Sequence, residues 1–571
     1  MSLEEFKLPI VYQKKKELLD ENVISDLELK ETENNESIYK DIFNPKTIFG
    51  EQTICKWSEY FSYDEYFLKE TKEIIKNLEY NTPEDICFNE INNIYLEINN
   101  NKYFNQEFSY LDIDFFNLNN LNYNEYFLEC LSLYNICTPL ISLFTPFVLA
   151  IVPFFIIKLQ GYPITIDNYF TFLKKTLGTH ALGSLFEDFN SIQTEKKVYI
   201  VVTLFFYFYQ IYQNINSCIR YFKNLSIIHN NIFKLRNYLE FSINKMNNFY
   251  NKFKNLSCYK HFNINLLNQI TFLTVFKKNL DKISDYKLSI NKIKELGHIF
   301  KYYYNLKNNK EYLTSLQYSF YFNGYLENLS EVQYNIKNGI MNFSKSSKNK
   351  CLFKNAYYPP LKNNNPIKNS YKVEKHIVIT GPNASGKTTI LKTTAINIIL
   401  NQQIYSGFFD EAEIKLYNYI HSYINIPDTS GRDSLFQAEA RRCKEIIDKV
   451  SDNNKNKNHF CIFDELYSGT NPYEAISSAY SLLEYLNTFK NLNFVLTTHY
   501  TDLCEKLKTI NDINLLKMKV KKNPNTKTFD YTYKICKGIS KIKGGSKVLN
   551  ELNYPTTIVN SITNTISHIK F

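Results

Sequence analysis

Cysteine pairs of the C-x-x-C type are absent from the 571-residue sequence, although it contains 11 cysteines. The cysteines also lack the spacing of metal ligands, so we expect no structural metal. Residues 1 to 45 are polar and charged, and they lack the apolar stretch of a secretory signal. These absences predict an intracellular protein whose thiols are reduced.

Aromatic side chains are abundant, since the sequence has 46 tyrosines and 44 phenylalanines, and 44% of its residues are hydrophobic. This composition supplies ample core for about three domains. The formal net charge of +10 permits DNA, RNA or an anionic membrane face as a partner. The charge is spread thinly over a large chain, so we expect most of it to be ordinary solvated surface.

Two long stretches, residues 130–157 and 198–219, contain no charged residue. Each is long enough for the roughly 20 residues of a bilayer-spanning helix. Basic residues flank both stretches, as they do at membrane interfaces: Lys158, Lys196, Lys197 and Arg220. We therefore predict a hydrophobic segment over residues 136–219, and one interpretation is a transmembrane hairpin at about 137–157 and 198–217.

Buried core helices are the other interpretation of these stretches. Pro139, Pro146 and Pro153 recur every seven residues in the first, and the second is rich in Tyr, Gln and Asn toward its end. Proline is tolerated better in membrane helices than in soluble ones. A soluble helix that is apolar on all faces needs protein all around it. The sequence leaves both interpretations open.

The remaining segments are predicted to be a polar arm, a helical core, a helical lever or clamp region and a C-terminal domain: residues 1–45, 46–135, 220–350 and 351–571. In the lever region, apolar residues step by threes and fours from Leu225 to Leu256, which predicts a long helix or a helix pair. The Asn- and Pro-containing stretch at residues 345–370 is interpreted as a polar linker that marks the last domain boundary.

The stretch HIVITGPNASGKTTIL at residues 376–391 combines a short buried strand, a glycine-punctuated turn and the start of a helix. Residues 381–388 fit G-x-x-x-x-G-K-[ST], a loop whose backbone N–H groups bind phosphate oxygens. Lys387 supplies a charge to the β- and γ-phosphates, and the Thr388 hydroxyl can ligate Mg²⁺. The predicted ATP-binding residues are Gly381, Pro382, Asn383, Ala384, Ser385, Gly386, Lys387, Thr388 and Thr389.

Two later apolar strands end in side chains that suit nucleotide hydrolysis. HFCIFDELYSGTNP, residues 459–472, places two acids at a strand end. Asp464 is predicted to hold Mg²⁺ through water, and Glu465 to polarise the water that attacks the γ-phosphate. NFVLTTHY, residues 493–500, ends on His499, whose neutral imidazole can hydrogen-bond the γ-phosphate.

DTSGRDSLFQAEARRCKEII, residues 428–447, is a polar turn followed by a helix that Ser434 can begin. The order GPNASGKTT, SLFQAE, FDELYSGTNP and TTHY resembles the ATPase domain of the MutS mismatch-repair family, an ABC-type ATPase. The resemblance covers about residues 351–565, including KGISKIKGGSKVLNELNYP near the C-terminus. In that family the Ser of the S-x-F-x-x-E turn reaches the γ-phosphate bound on the partner subunit, and Ser434 matches it. Phe436 and Glu439 follow at the family spacing.

The resemblance implies an α/β P-loop ATPase domain of the ABC type at the C-terminus, preceded by a mostly α-helical core and lever region. It implies ATP and Mg²⁺ as cofactors, a second copy or a related MutS-like subunit as partner, and DNA as a further partner. The family's mismatch-reading N-terminal domain carries a Phe-x-Glu wedge in a glycine-containing context. No such segment occurs here, so a form lacking that domain is expected.

Two classes of function remain open on this basis. The first is an ATPase of DNA mismatch repair or a related DNA transaction, whose lever region closes around DNA when ATP joins two ATPase domains. The second is a membrane-tethered ATPase whose nucleotide-driven dimerisation moves or scaffolds a partner. A transporter is disfavoured, because only two candidate spans are present and the LSGGQ signature is absent. The protein is accordingly expected to be soluble and DNA-associated, or membrane-anchored with its ATPase domain on the cytoplasmic side.

Overall fold

The computed structural model describes most of the chain, in these ranges: 4–32, 35–81, 86–113, 115–159, 161, 163, 165–178, 194–285, 290–424, 426, 434–452, 457–522, 529–542, 554–555, 558 and 561. After the first three residues, the chain divides into two compact units. We call residues 83–244 and 269–316 the helical unit, and residues 4–82, 245–268 and 317–571 the sheet unit. The domain boundaries predicted above stay predictions.

The N-terminal part of the sheet unit consists of short elements: β1 (Lys16–Leu18), α1 (Glu21–Asp26), α2 (Ile38–Phe43), α3 (Ile48–Trp57), β2 (Tyr60–Ser62) and α4 (Glu65–Asn77). Each helix begins after a side chain that accepts a hydrogen bond from a first-turn N–H, which has no partner inside the helix: Asp20, Ser37, Thr47 and Asp64. Asp26 accepts hydrogen bonds from Ser422 Oγ at 2.6 Å and from Ile424 N at 3.1 Å. This segment is therefore joined to C-terminal residues of the same unit.

The helices that follow are α5 (Phe88–Asn100), α6 (Phe104–Glu107), α7 (Glu125–Leu159), α8 (Ile166–Gly178), α9 (Thr194–Phe253), α10 (Lys260–Leu280), α11 (Ile290–Ile293), α12 (Leu296–Asn308) and α13 (Lys310–Lys337). Short 3-10 helices occur at Pro9–Tyr12, Phe115–Tyr123 and Pro359–Leu361. Buried residues recur along α9 at steps of three and four: Leu225, Ile228, Ile232, Leu235 and Leu239. This periodicity confirms the long helix predicted in the lever region.

Helices α7 and α9 contain the two uncharged stretches, and both are long and apolar enough to cross a membrane by length and composition. Among the residues that the structure describes, the most apolar part of each helix lies within Glu125–Phe144 of α7 and within Lys197–Phe253 of α9. Of the described side chains, 11% of that part of α7 is buried, and 0% of that part of α9. A core helix that is apolar on all sides would be mostly buried. The described part of the helical unit therefore does not support the buried-core interpretation, and a membrane crossing stays a prediction.

The C-terminal part contains β3 (Asn342–Phe343), β4 (Lys345–Ser347), β5 (Cys351–Ala356), β6 (Asn369–Val373), β7 (His376–Thr380), α14 (Lys387–Ile404), β8 (Ser406–Gly407), β9 (Glu411–Lys415), β10 (Tyr419–Tyr423), α15 (Leu435–Ser451), β11 (His459–Asp464), α16 (Pro472–Asn487), β12 (Leu492–Thr498), α17 (Thr501–Leu507), β13 (Ile513–Lys522) and β14 (Phe529–Lys537). Two small sheets pair β1 with β2 and β3 with β8. The alternation of strands and helices confirms an α/β region at the C-terminus.

The main sheet has six strands in the order β10-β11-β12-β7-β13-β14. Neighbouring strands from β10 to β13 are parallel, and β14 is antiparallel to β13. All five residues of β7 and all seven of β12 are buried, and Val378, Phe463 and Phe494 pack in the core beneath α16 and α17. Because the strands are parallel, the carboxyl ends of β7, β11 and β12 lie at the same edge of the sheet.

Residues 345–370, which we interpreted as a polar linker, instead contribute strands β4, β5 and β6 to a four-stranded sheet of order β4-β9-β5-β6. Cys351, Phe353 and Ala356 of β5 are buried, while Lys354 faces solvent. The linker prediction is wrong because the buried positions alternate with Lys and Asn residues. That mixture lowers the average hydrophobicity of a strand that has one solvated face.

Candidate nucleotide-binding site

The glycine-rich loop, residues 381–386, connects β7 to α14. Gly386 has φ = 92°, in the left-handed region that glycine adopts without steric cost. A Cβ atom at Gly381 would lie 2.8 Å from Ser385 Oγ, so this position also requires glycine. Ser385 Oγ donates to the Pro382 carbonyl at 2.7 Å. The loop is therefore a tight turn ahead of a helix N-terminus, where backbone N–H groups bind anions.

Lys387 is the first residue of α14, and only 5% of its side chain is exposed. Its Nζ donates to the carbonyls of Gly381 at 3.0 Å and Pro382 at 3.3 Å. It also lies 3.4 Å from Asn383 Oδ1 and 3.5 Å from Glu465 Oε1. The ammonium group is thus held against the loop, where it can neutralise phosphate charge.

Thr388 and Asp464 lie side by side, one from α14 and the other from the end of β11. Thr388 Oγ1 donates to Asp464 Oδ2 at 2.7 Å, and Thr497 Oγ1 donates to the other carboxylate oxygen, Oδ1. Burial raises the pKa of Asp464, and the two hydroxyl donors oppose that shift. Hydroxyl and carboxylate oxygens are the ligands that Mg²⁺ prefers, so this pair fits a magnesium site.

Glu465 follows Asp464 but adopts a left-handed backbone conformation, with φ = 48°, which is uncommon for a residue with a side chain. Its Oε1 lies 3.4 Å from His499 Nδ1 and 3.5 Å from Lys387 Nζ. The hydrogen bond from His499 lowers the pKa of Glu465, and the nearby Lys387 charge adds to this effect. Glu465 is therefore ionised at neutral pH and able to accept a proton.

A cavity of about 660 Å³ opens beside the loop, within the usual size of small-molecule sites. The predicted ATP-binding residues that line it are Asn383, Ala384, Gly386, Lys387, Thr388 and Thr389. Asp464 and Glu465 lie at one side. Tyr357, Tyr358 and Ile367, from the stretch that we had interpreted as a linker, form another wall together with Tyr533. Sequence reasoning missed this wall, although the aromatic pair in YYPP is a signal that could have indicated it.

Ser434 is the N-cap of α15. It is not among the described residues that line this cavity. Its Oγ accepts from Gln437 N, and Gln437 Oε1 accepts from Ser434 N at 2.9 Å. This reciprocal pair is a capping box. The stretch DTSGRD that precedes Ser434 lies outside the described residues, as does most of KGISKIKGGSKVLNELNYP. The predicted role of Ser434 toward a partner's nucleotide stays a prediction.

Glu439 connects α15 to the chain segment that follows Glu465. It is 3% exposed, and its carboxylate accepts from Ser468 N and Oγ, each at 3.0 Å, and from Gly469 N at 3.1 Å. Phe436, one helical turn earlier, packs against Tyr467 at 5.7 Å between ring centroids. Sequence spacing identified Glu439 and Phe436, but these contacts appear only in the structure.

The structure thus brings together five residues that the sequence singled out: Lys387, Thr388, Asp464, Glu465 and His499. Gly381, Pro382 and Ser385 shape the loop rather than line the cavity. Thr497 was missed, because only the pairing of β11 with β12 places its hydroxyl beside Asp464. The catalytic roles assigned to Glu465 and His499 stay predictions.

Comparisons with known proteins assign the same region to a family. Residues 377–570 match the family model MutS domain V. Endonuclease MutS2 of Staphylococcus haemolyticus is 28% identical over 210 residues, which cover 36% of this chain and 26% of the relative. DNA mismatch repair protein MutS of Finegoldia magna is 30% identical over 186 residues, or 32% of this chain and 21% of the relative. The matches thus span about a quarter of the length of these relatives. The resemblance to the MutS ATPase domain is confirmed for the C-terminal part of the chain.

Proposed function

Because its C-terminal part carries MutS domain V, we propose that this chain binds ATP with Mg²⁺ in the cavity beside the loop and hydrolyses it to ADP and phosphate. The supporting observation is the convergence of Lys387, Thr388, Asp464 and Glu465 at the carboxyl edge of the main sheet. One strand supplies the loop, and a second supplies both acids. This is the arrangement that phosphoryl transfer to water requires, because that reaction depends mainly on positioning and charge neutralisation.

In the proposed reaction, ionised Glu465 accepts a proton from the attacking water. The water oxygen forms a bond to the γ-phosphorus as the bond to the bridging oxygen breaks, and that oxygen leaves with its electron pair on ADP. Lys387 offsets the charge on the β- and γ-phosphates, and His499 donates a hydrogen bond that holds Glu465 in place, unless the γ-phosphate takes over that hydrogen bond. Thr388 and Asp464 would hold Mg²⁺, which would supply further charge neutralisation at the phosphates.

We further propose that ATP joins two copies of the chain, or this chain and a related MutS-like subunit, with Ser434 of each completing the other's site. The contacts of Glu439 with Ser468 and Gly469 support a link between the bound nucleotide and the partner chain. Ser434 begins α15, and Glu439 of the same helix holds the backbone of Ser468 and Gly469, just beyond Glu465. A change at the γ-phosphate that moves Glu465 would therefore reach the helix that presents Ser434.

DNA is the proposed partner that this cycle acts on, since relatives of the C-terminal part are named as an endonuclease and as a DNA mismatch repair protein. The test is the steady-state ATPase rate of the purified full chain, without DNA and with homoduplex, mismatched or branched DNA. A change of several-fold with any of these DNAs supports coupling. An ATPase that is indifferent to all of them contradicts it and favours the alternative in which dimerisation moves or scaffolds a partner at a membrane. The Glu465→Gln variant serves as the inactive control.

A further inference from the structure

The helical unit exposes large apolar side chains on the two uncharged stretches. Residues that each leave more than half of their surface exposed include Leu143, Phe144 and Ile151 on α7 and Val201, Phe205 and Phe208 on α9. At about 100° of rotation per residue, the exposed positions cover roughly half the circumference of each helix. Soluble proteins rarely leave apolar patches of such extent in water.

Several polar groups of these helices contact the neighbouring helix rather than solvent, although Gln210 and Gln213 of α9 are exposed. Asn214 Nδ2 of α9 donates to Ser142 Oγ of α7, and Tyr207 OH donates to the Ser142 carbonyl at 3.1 Å. Nearer the other end, Cys218 Sγ lies 3.7 Å from the Ile136 carbonyl. Polar contacts between helices with apolar outer faces are typical of helices packed in lipid.

Two of the prolines of α7, Pro139 and Pro146, also support helices that lie in lipid. A proline has no N–H, so the carbonyl four residues earlier loses its usual hydrogen-bond donor within the helix. For Pro139 this is the Asn135 carbonyl, which accepts from Thr138 Oγ1 at 2.8 Å. For Pro146 it is the Ser142 carbonyl, which accepts from Tyr207 OH of the neighbouring helix. Water would satisfy such carbonyls on a soluble surface, whereas hydrocarbon requires donors from the protein itself.

The length over which α7 and α9 pair matches the thickness of a lipid bilayer. Ile136 lies opposite Cys218, and the two helices run in opposite directions, so Lys158 falls at nearly the same level as Lys197. The stretch from Ile136 to Lys158 rises about 33 Å at 1.5 Å per residue, close to the roughly 30 Å hydrocarbon thickness of a bilayer. Arg220 follows the opposite end. Charged residues therefore bracket α9 at two levels about one bilayer apart, whereas on α7 Lys158 marks one level and the uncharged stretch continues past Ile136 to Cys130.

We infer that residues 136–158 and 197–219 form a hairpin that inserts into the hydrocarbon of a lipid bilayer. Lipid chains cover the apolar outer faces, and the Ser142, Tyr207 and Asn214 contacts hold the two helices together inside. The lysines at one end and Arg220 at the other lie at headgroup level. This surface belongs to the helical unit alone, so the inference does not depend on the proposed reaction.

The first test uses the unmodified full chain. Membranes from cells that express it are washed with alkaline carbonate, which strips peripheral proteins, and we expect the chain to remain with the membranes. Detergent-purified protein reconstituted with vesicles of phosphatidylcholine and a minority of phosphatidylglycerol should float with them in a density gradient. Release by carbonate, or failure to float, would overturn the inference without any variant.

The second test places charge on the outer faces. Phe144→Lys with Phe208→Lys puts two lysines near the middle of the span, and vesicle partition should fall by at least about 100-fold. The matched control, Tyr66→Lys with Tyr103→Lys, adds the same charge at exposed aromatic positions elsewhere, which are 75% and 70% exposed, and should leave partition unchanged. If the unmodified chain is instead a water-soluble oligomer that the first pair of lysines dissociates, a second copy covers these helices and the inference fails. Nucleotide binding by each variant checks its folding.

Discussion

Helix α14 and the first part of α9 are both uncharged over several turns, yet they lie in opposite surroundings. Every residue from 393 to 404 in α14 is buried, whereas no described side chain from 198 to 219 in α9 is. The buried helix carries polar residues with assigned partners. Gln402 Nε2 donates to the carbonyls of Ser62 and Tyr417 at 3.1 Å and 2.8 Å.

The two helices differ in what surrounds them, and the side chains that each helix carries match its surroundings. In the sheet unit, protein surrounds α14, and the buried amides of Asn397, Gln402 and Gln403 have hydrogen-bond partners for both polar ends. In the helical unit, the exposed side chains of α9 from Val198 to Tyr209 are apolar or aromatic. Gln210 and Gln213 are exposed beyond them, and the amide of Asn214 donates to α7. The first pattern is typical of a protein interior and the second of a helix in lipid. Substitutions in the two units should therefore separate chemistry from attachment.

The largest expected effect is on turnover. Glu465→Gln removes the proton acceptor but keeps a side chain of the same size, so the hydrolysis rate should fall by about 100- to 10,000-fold while ATP still binds. Single-turnover hydrolysis and equilibrium nucleotide binding measure the two quantities. Membrane attachment should not change, because it depends on the helical unit. A variant that hydrolyses ATP at the parent rate would transfer the role to another residue, with His499 next in line.

The next effect is on nucleotide affinity. Lys387→Ala removes an ammonium group that contributes two or more charge-assisted hydrogen bonds of about 1.5–3 kcal/mol each, so ATP should bind at least about 100-fold more weakly. Titration calorimetry measures the affinity. Lys392→Ala is the matched control, because Lys392 lies on the same helix and pairs with Glu28 at 2.8 Å. Unchanged affinity in Lys387→Ala would contradict the whole assignment of the site.

One buried amide side chain on α14 and one exposed amide side chain on α9 test whether burial sets the cost of losing the amide. Gln403 Nε2 donates to the carbonyls of Trp57 and Tyr60, at 2.6 Å and 3.0 Å, and its Oε1 accepts from Tyr39 OH at 2.9 Å. Gln403→Leu leaves these groups unpaired and should lower the free energy of unfolding by about 3 kcal/mol. Asn251→Leu, at an exposed position of α9 outside the inferred hairpin and in the sheet unit, should change it by less than about 0.5 kcal/mol.

Denaturant unfolding followed by tryptophan fluorescence measures both variants, because the chain has a single tryptophan and Trp57 lies in the sheet unit. Equal stability of the two variants would mean that losing the buried amide costs no more than losing the exposed one, which contradicts the difference in burial.

The last effect is on association, where the change at any one site is small. In the Glu465→Gln background, ATP should convert monomer to dimer, and adding Ser434→Ala should weaken that dimer by about 1.5–3 kcal/mol per site, since each site loses a hydrogen bond to a charged oxygen. If Ser434 is only an N-cap, the substitution costs about 1 kcal/mol of stability and leaves association unchanged. Ser451→Ala, at the other end of α15, is the control. Light scattering with and without ATP measures the mass, and a mass that ignores ATP in both variants contradicts the shared site.

Much of the candidate site could be predicted because its residues follow strands in short motifs. The strand, loop and helix around Lys387, and the strands before Asp464 and His499, occur where local patterns placed them. The position of the cavity wall formed by Tyr357 and Ile367 was missed, because the YYPP pair signals an aromatic surface but not where it lies. Tyr357 and Ile367 lie in a stretch that resembles a linker in composition, and they reach the site only because β5 and β6 pair with each other and β5 with β9.

Local sequence patterns were enough to identify the glycine-rich loop, the two acids at the end of β11 and the two long stretches that lack charge. Each depends on neighbours within one strand or a few helical turns, where backbone geometry and hydrophobic periodicity act locally. Tertiary structure alone decided that Thr497 meets Asp464, that Glu439 holds Ser468 and Gly469, and that Tyr207 caps the carbonyl freed by Pro146. These contacts join residues far apart in the chain, so they depend on strand order and helix register, which no single segment encodes.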